Sequence, residues 1–181
     1  MKHPSLRNWM SSISLLLLPV AAIAHPGHGP RDFFTGLLHP LTGVDHLLVM
    51  VAVGIYAVQR GGHTLYALPV LFVGCMLSGA LLGVGGAPMP AVEAIILFSI
   101  VAITALVLFR DRSSLKTILP LFALFALAHG YAHGAEMTAD TTRAGFLAGM
   151  CVATGLLHAA GISFALAWQS RAKKSPAARG S

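Results

Sequence analysis

The segment ILPLFALFALAHGYAHGAE, running from Ile118 to Glu136, decides how the chain must fold. From Ile118 to Gly134 it is apolar apart from two histidines, and it is close to the roughly 20 residues that a membrane-spanning helix needs. Read as a helix, it sets His129 and His133 at i and i+4, with Glu136 three residues further on, so that all three project from one face. A water-soluble helix keeps its polar residues on an outer face. Here three ligand-type side chains share a stripe in an otherwise oily rod, and ionisable groups at membrane depth are costly enough to mark function.

The rest of the chain repeats the apolar part of this pattern. Further apolar stretches run at about Pro40 to Val58, Leu65 to Gly83, Ala91 to Phe109 and Ala144 to Trp168. Short breaks rich in Gly, Pro or charge separate them: Arg60-Gly61-Gly62, Gly85-Gly86-Ala87-Pro88, Arg110-Asp111-Arg112 and Thr138-Ala139-Asp140. Of the 181 residues, 56% are hydrophobic and only 10% charged, against about a quarter charged in soluble domains. With mean hydropathy at +0.76, a soluble globule is excluded. The expected fold class is therefore all-α: a polytopic membrane bundle of about five transmembrane helices.

The first 24 residues have a basic start with Lys2 and Arg7, an apolar run from Ile13 to Ile23, and a closing Ala22-Ile23-Ala24. That is the layout of a removable signal peptide, which would leave a mature chain beginning at His25; an uncleaved signal anchor is the alternative. The expected organisation is thus a signal peptide over 1–24, a transmembrane domain over 25–170 and a basic tail over 171–181. Five crossings from an external N-terminus put Arg60, Arg110, Arg112, Lys116, Arg171, Lys173, Lys174 and Arg179 inside, and only Arg31 and Arg143 outside. This lopsided split is what the positive-inside rule asks of a bacterial inner-membrane protein with a periplasmic N-terminus and cytoplasmic C-terminus. It also accounts for the net charge of +6 without a nucleic-acid partner, for which no basic and aromatic stripe exists.

Cys75 and Cys151 lie within apolar runs and read as small core residues, neither disulfide framework nor zinc ribbon. Gly79 and Gly83, Gly130 and Gly134, and Gly145 and Gly149 each stand one turn apart, the spacing that lets membrane helices approach closely.

A second polar cluster faces the first from another helix: His39, Asp45 and His46. Pro40 suits the first position of a helix, so the regular helix is expected to begin there, with Phe33 to Leu38 at the interface. At 1.5 Å per residue, His46 then lies about 9 Å beneath Pro40, and His129 about 10 Å beneath Glu136 on a helix running the other way. The two clusters are expected to meet in the outer half of the membrane. Imidazole and carboxylate suit borderline divalent ions such as nickel, cobalt, zinc or copper, and Asp45 with Glu136 would balance a +2 charge. Asp45 equally suits the task of fixing a histidine tautomer.

Four further residues are candidates for a metal or relay role. Glu93, three residues after Pro90, reads either as a dipole-favoured carboxylate in the first turn of a helix or as a third acidic ligand. His158 lies beyond the proposed site, towards the cytoplasm, and reads as an exit ligand or a hydrogen-bonded packing histidine. His25 and His28 flank Pro26-Gly27 at the new N-terminus and could capture metal at the mouth or simply be solvated.

Both clusters resemble the signatures of the HupE/UreJ family of bacterial metal permeases, which are accessory proteins for hydrogenase and urease. His39 followed after five residues by Asp45-His46 matches the first signature. Ala128 to Glu136 is similar to the second, with Ala128 where the pattern has Phe. The resemblance covers nearly the whole mature chain. It implies uptake of Ni²⁺, with Co²⁺ as the alternative, through His39, Asp45, His46, His129, His133 and Glu136, with no enzymatic activity and no permanently bound cofactor. No phosphate-cradling Gly-x-x-x-x-Gly-Lys-Ser/Thr motif is present, so a nucleotide-driven step is not expected. Expected partners are the metal ion and membrane lipid, with the recipient metalloenzyme system reached indirectly; a homo-oligomer is compatible with the sequence. Two rival readings come from other classes: a membrane haem protein with histidines as axial ligands, and a metalloenzyme assembly factor that transports nothing.

Overall fold

The computed structural model describes residues 32–137 and 142–174, apart from the side chains of Asp45 and of residues 172–174. The expected signal peptide, His25, His28 and the end of the basic tail lie outside the described residues, as does the side chain of Asp45. Among the described residues there are six helices and no strand: α1 (Phe33–Thr42), α2 (Val44–Arg60), α3 (Thr64–Val84), α4 (Val92–Leu108), α5 (Leu115–Ala135) and α6 (Arg143–Lys174).

Three helical stretches are long and apolar enough to cross a bilayer: Thr64–Val84, Leu115–Ala135 and Arg143–Arg171. A fourth span is formed if α1 and α2, bent by 82° at their junction, are taken together. Helix α4 is apolar but shorter, at 17 residues. These correspond to the five apolar stretches of the sequence, and α6 extends as one helix through Lys174, past the expected tail boundary. Val70, Leu97, Phe98, Val101, Leu156 and Phe164 all stand exposed on the outer faces, which is tolerable only where the surrounding solvent is lipid.

The start of the first helix differs from expectation. It begins at Phe33, not Pro40, because Asp32 accepts hydrogen bonds on Oδ1 from the amides of Phe34 (2.9 Å) and Thr35 (3.1 Å). That carboxylate satisfies two of the amides a helix start leaves unpaired. Pro40 falls inside the last turn, and Gly43, in an extended conformation, ends α1 and caps α2. The depth matching assumed a straight rod from Pro40. The chain achieves the meeting of clusters by turning at Gly43.

The bundle is held by close helix approach more than by large side chains. Helix α3 lies along α5, with Gly79 and Gly83 against the backbone of Leu127 and Tyr131, and Gly130 and Gly134 against that of Met76 and Ala80. A Cβ at any of the four would run into main-chain atoms of the facing helix. Helix α6 packs on α1 through Gly149 and Gly36, and on α2 through Gly161 and Gly54. In lipid, where apolar burial gives little drive, such close backbone contact is the chief source of helix association. Tyr56, Phe72, Met76, Phe122, Phe125 and Met150 fill the interior between these seams.

One end of the bundle is tied by polar groups. The Tyr56 hydroxyl donates to Asp111 Oδ2 at 3.1 Å, and its ring stacks on Phe122 with centroids 5.4 Å apart. Arg60 donates to the Asp111 carbonyl, Arg112 to the Gln59 carbonyl, and Gln59 to the Val107 carbonyl. The loop between α4 and α5 is thereby fastened to the end of α2, so Arg60 and Arg112, placed on one side by the charge count, meet at the same end. The Ser113 hydroxyl and amide hydrogen-bond to Asp111 and hold its carboxyl below the ordinary value. A lowered carboxyl favours the folded state above its unfolded value, and that contribution is lost as pH falls through the folded one. Tyr56→Phe keeps the stacked ring and removes the hydrogen bond. The expected cost is about 1 kcal/mol, read as a lower thermal midpoint at neutral pH that converges on wild type in acid.

Candidate metal site

Six of the sequence candidates fall on three helix ends. His39 is in the last turn of α1, Asp45 and His46 are in the first turn of α2, His129 and His133 lie towards the end of α5, and Glu136 caps that helix. The sharp turn at Gly43 brings His39 and His46 towards a common point from two short axes. Their ring centroids stand 6.3 Å apart.

Helix α5 supplies the other side. His133 is 4% exposed and sits at the centre, with ring centroids 4.6 Å from both His39 and His46. His129, fully buried one turn deeper, has its ring 5.1 Å from that of His46. Four imidazoles from three helices therefore form one contiguous cluster. The Nε2 of His39 and the Nδ1 of His133 are 3.1 Å apart, so one ring donates to the other. Two nitrogens bound at about 2.1 Å to one ion, at right angles, stand about 3.0 Å apart, so an ion could replace the shared proton with little movement.

The carboxylate of Glu136 completes the set. Ligand atoms of His39, His133 and Glu136 all lie within 4.8 Å of one another. Nδ1 of His129 is 2.8 Å from the Phe125 carbonyl, which can only accept, so this nitrogen carries the proton and the ring's lone pair is on Nε2. Backbone geometry thus sets the tautomer of the deepest histidine.

Aromatic rings wall the cluster. Phe146 of α6 packs on His39 (centroids 5.7 Å), and Phe72 of α3 lies 6.2 Å from His129. Neither stood out in the sequence, since each is one phenylalanine among nine, in helices that need them for packing anyway. A cavity of about 290 Å³ borders His39 along α1, lined also by Phe34, Thr35, Leu38 and Thr42. The remaining described candidates are elsewhere. Glu93 is exposed in the first turn of α4, the position a helix dipole favours, and does not join the cluster. His158 is buried in α6 against Phe72.

Because α1 is short and carries His39, its cap should matter to the site. Asp32→Ala removes two amide contacts, at a typical cost of about 1 kcal/mol, and should weaken metal binding roughly fivefold. Asp32→Asn, which can still cap, should bind as wild type; the check is a metal titration of all three proteins.

Apolar helices of bilayer length that present imidazoles and a carboxylate to one another define a polytopic membrane protein with a cluster of ligand-type side chains between its helices. The chain belongs to the HupE/UreJ family: the profile described as HupE / UreJ protein matches residues 13–181. It is similar to Protein HupE of Rhizobium leguminosarum bv. viciae, with 36% identity over 155 residues, covering 86% of this chain and 81% of that protein. No solved structure was found to match.

Proposed function

We infer that the protein is a non-enzymatic permease that takes up a divalent transition-metal ion, Ni²⁺ with Co²⁺ as the alternative, across the bacterial inner membrane for hydrogenase or urease maturation. The observation that carries this is the convergence of His39, His133 and Glu136 within 4.8 Å, extended inwards by His46 and His129. A neutral-imidazole and carboxylate set of this kind suits a borderline cation, and burial of that many polar rings in an apolar bundle is otherwise a pure cost. The periplasm-facing orientation of the site follows the distribution of basic residues, most of which lie at the opposite end from Glu136.

The cluster is ill suited to haem, because a porphyrin needs a slot between its two axial imidazoles, whereas these rings touch edge to face. Transport needs no nucleotide. A divalent cation moving inwards gains about 4.6 kcal/mol per 100 mV of inside-negative potential, worth more than three powers of ten in concentration.

The test is uptake by proteoliposomes containing only this protein, with an imposed potential and Ni²⁺ outside, followed by competition from Co²⁺, Zn²⁺ and Mn²⁺. Potential-dependent Ni²⁺ accumulation, competed best by Co²⁺, is the expected result. Metal binding without entry would make it an assembly factor, and a Soret band in the purified protein would make it a haem protein.

A further inference from the structure

We propose that His158 is a second, inner metal station, one aromatic ring away from the outer cluster, which receives the ion on its way towards the cytoplasm. The proposal rests on the permease reading and adds to it a second site on a different helix.

His158 is 1% exposed, and both of its ring nitrogens are buried without a hydrogen-bond partner among the described residues. An imidazole always carries one N–H donor and one acceptor, or two donors when charged, so this ring leaves both unsatisfied in an apolar interior. Leaving a single buried polar group unsatisfied costs about 1–3 kcal/mol, and packing alone would be served as well by leucine or phenylalanine. The expectation of a hydrogen-bonded packing histidine is therefore not what the side chain does. It contacts an aromatic ring instead: Phe72, edge to face, with centroids 5.4 Å apart.

Phe72 is what connects the two sites. Its ring lies 6.2 Å from His129, the deepest member of the outer cluster, and 5.4 Å from His158. The order His46, His129, Phe72, His158 is a continuous file of rings on four different helices, of which the last three are no more than 1% exposed. An aromatic face attracts cations, so a swing of the Phe72 ring would offer a passing ion a favourable surface between the two stations.

The position of His158 is tightly fixed. Gly54 of α2 packs directly against the backbone carbonyl of His158, leaving no room even for a Cβ. Further donors stand on the same stretch of α6. Cys151, two turns earlier, borders with His158 a shallow, open apolar groove between α3 and α6, and Thr154 donates to the Met76 sulfur at 3.6 Å. An imidazole without a carboxylate beside it is a less charged donor than the outer cluster. Such a station should hold the ion more weakly and release it onwards.

The experiment uses the purified full-length chain, Co²⁺ as a spectroscopic probe of bound metal, and Ni²⁺ uptake in proteoliposomes. His158→Gln keeps a polar side chain of similar size, and His158→Phe removes the polarity, so a folding defect in one does not decide the outcome. Wild type should bind two ions, and both variants one, with the outer Co²⁺ spectrum unchanged and uptake reduced at least tenfold. His133→Ala should give the converse, losing the outer spectrum and retaining the inner site. If both His158 variants bind and transport as wild type while His133→Ala abolishes metal binding, the inner station is refuted and the permease reading stands. If wild type binds no metal at all, both fall.

Discussion

Alanine in place of His46 or His133 is expected to abolish metal uptake while the protein still inserts in the membrane. His133 is the hub of the site: its ring contacts those of His39 and His46, and its Nδ1 is bonded to His39. Removing it takes away the ring that His39 hydrogen-bonds and leaves only His39 and Glu136 of the three converging ligand-type groups. The His46 ring touches both His133 and His129, so its loss weakens the link between the outer and the deep part of the cluster. Loss of mere supporting groups around a metal typically costs 10–100-fold in affinity, so a direct ligand should cost at least about 100-fold. The helices themselves should survive, because the seams that hold α5 to α3 involve glycines and main chain, not these rings. Full uptake by both variants, at equal membrane abundance, would remove the site from this position.

Gly130→Val is expected to have the second largest effect, and on folding more than on ligation. A Cβ on Gly130 would meet the main chain of Met76, so α3 and α5 would have to separate along the whole seam. Overpacking of a tight interface costs about 1–3 kcal/mol, and occasionally more where only backbone can yield. Since His129 and His133 flank Gly130, the same separation would misplace two ligands. Gly74→Ala is the control for adding a Cβ to a helix glycine, on a face of α3 where that atom meets nothing. The expected pattern is a lower thermal midpoint and weakened metal binding for Gly130→Val, with wild-type values for Gly74→Ala. Equal midpoints would mean that the seam does not hold the bundle together.

Much of this was legible in the residue order because the bilayer imposes such simple rules. Apolar runs near 20 residues had to be helices, and polar side chains inside them had to be used. The small-residue pairs on α3 and α5 announced their contact by spacing, and the structure sets them against each other. Gly36, Gly54 and Gly161 make equally close contacts on α6, but each stands alone, and a single glycine in an apolar run has many explanations. The true start of α1 was missed because Pro40 and Asp32 are both acceptable helix openings. The choice between them depends on whether the chain can turn at Gly43, which is a tertiary matter. Tyr56 and Asp111 were invisible as a pair because 55 residues separate them and neither belongs to a local pattern. The tautomer of His129 could not be read either, since it depends on a main-chain acceptor rather than a side-chain one.

The break at Gly43 also alters the electrostatics of the site without adding a charged residue. Because α1 stops at Thr42, its carbonyl end is delivered beside His39, just as the carbonyl end of α5 is delivered beside His133. Each such end behaves as roughly half a negative charge, and the amino end of α2 opposes only one of the two. An unbroken rod through this region would have carried its peptide dipoles past the histidines without terminating there. The polypeptide itself thus leans towards cations at this point, and the side chains need only complete a preference that the folded main chain has already established.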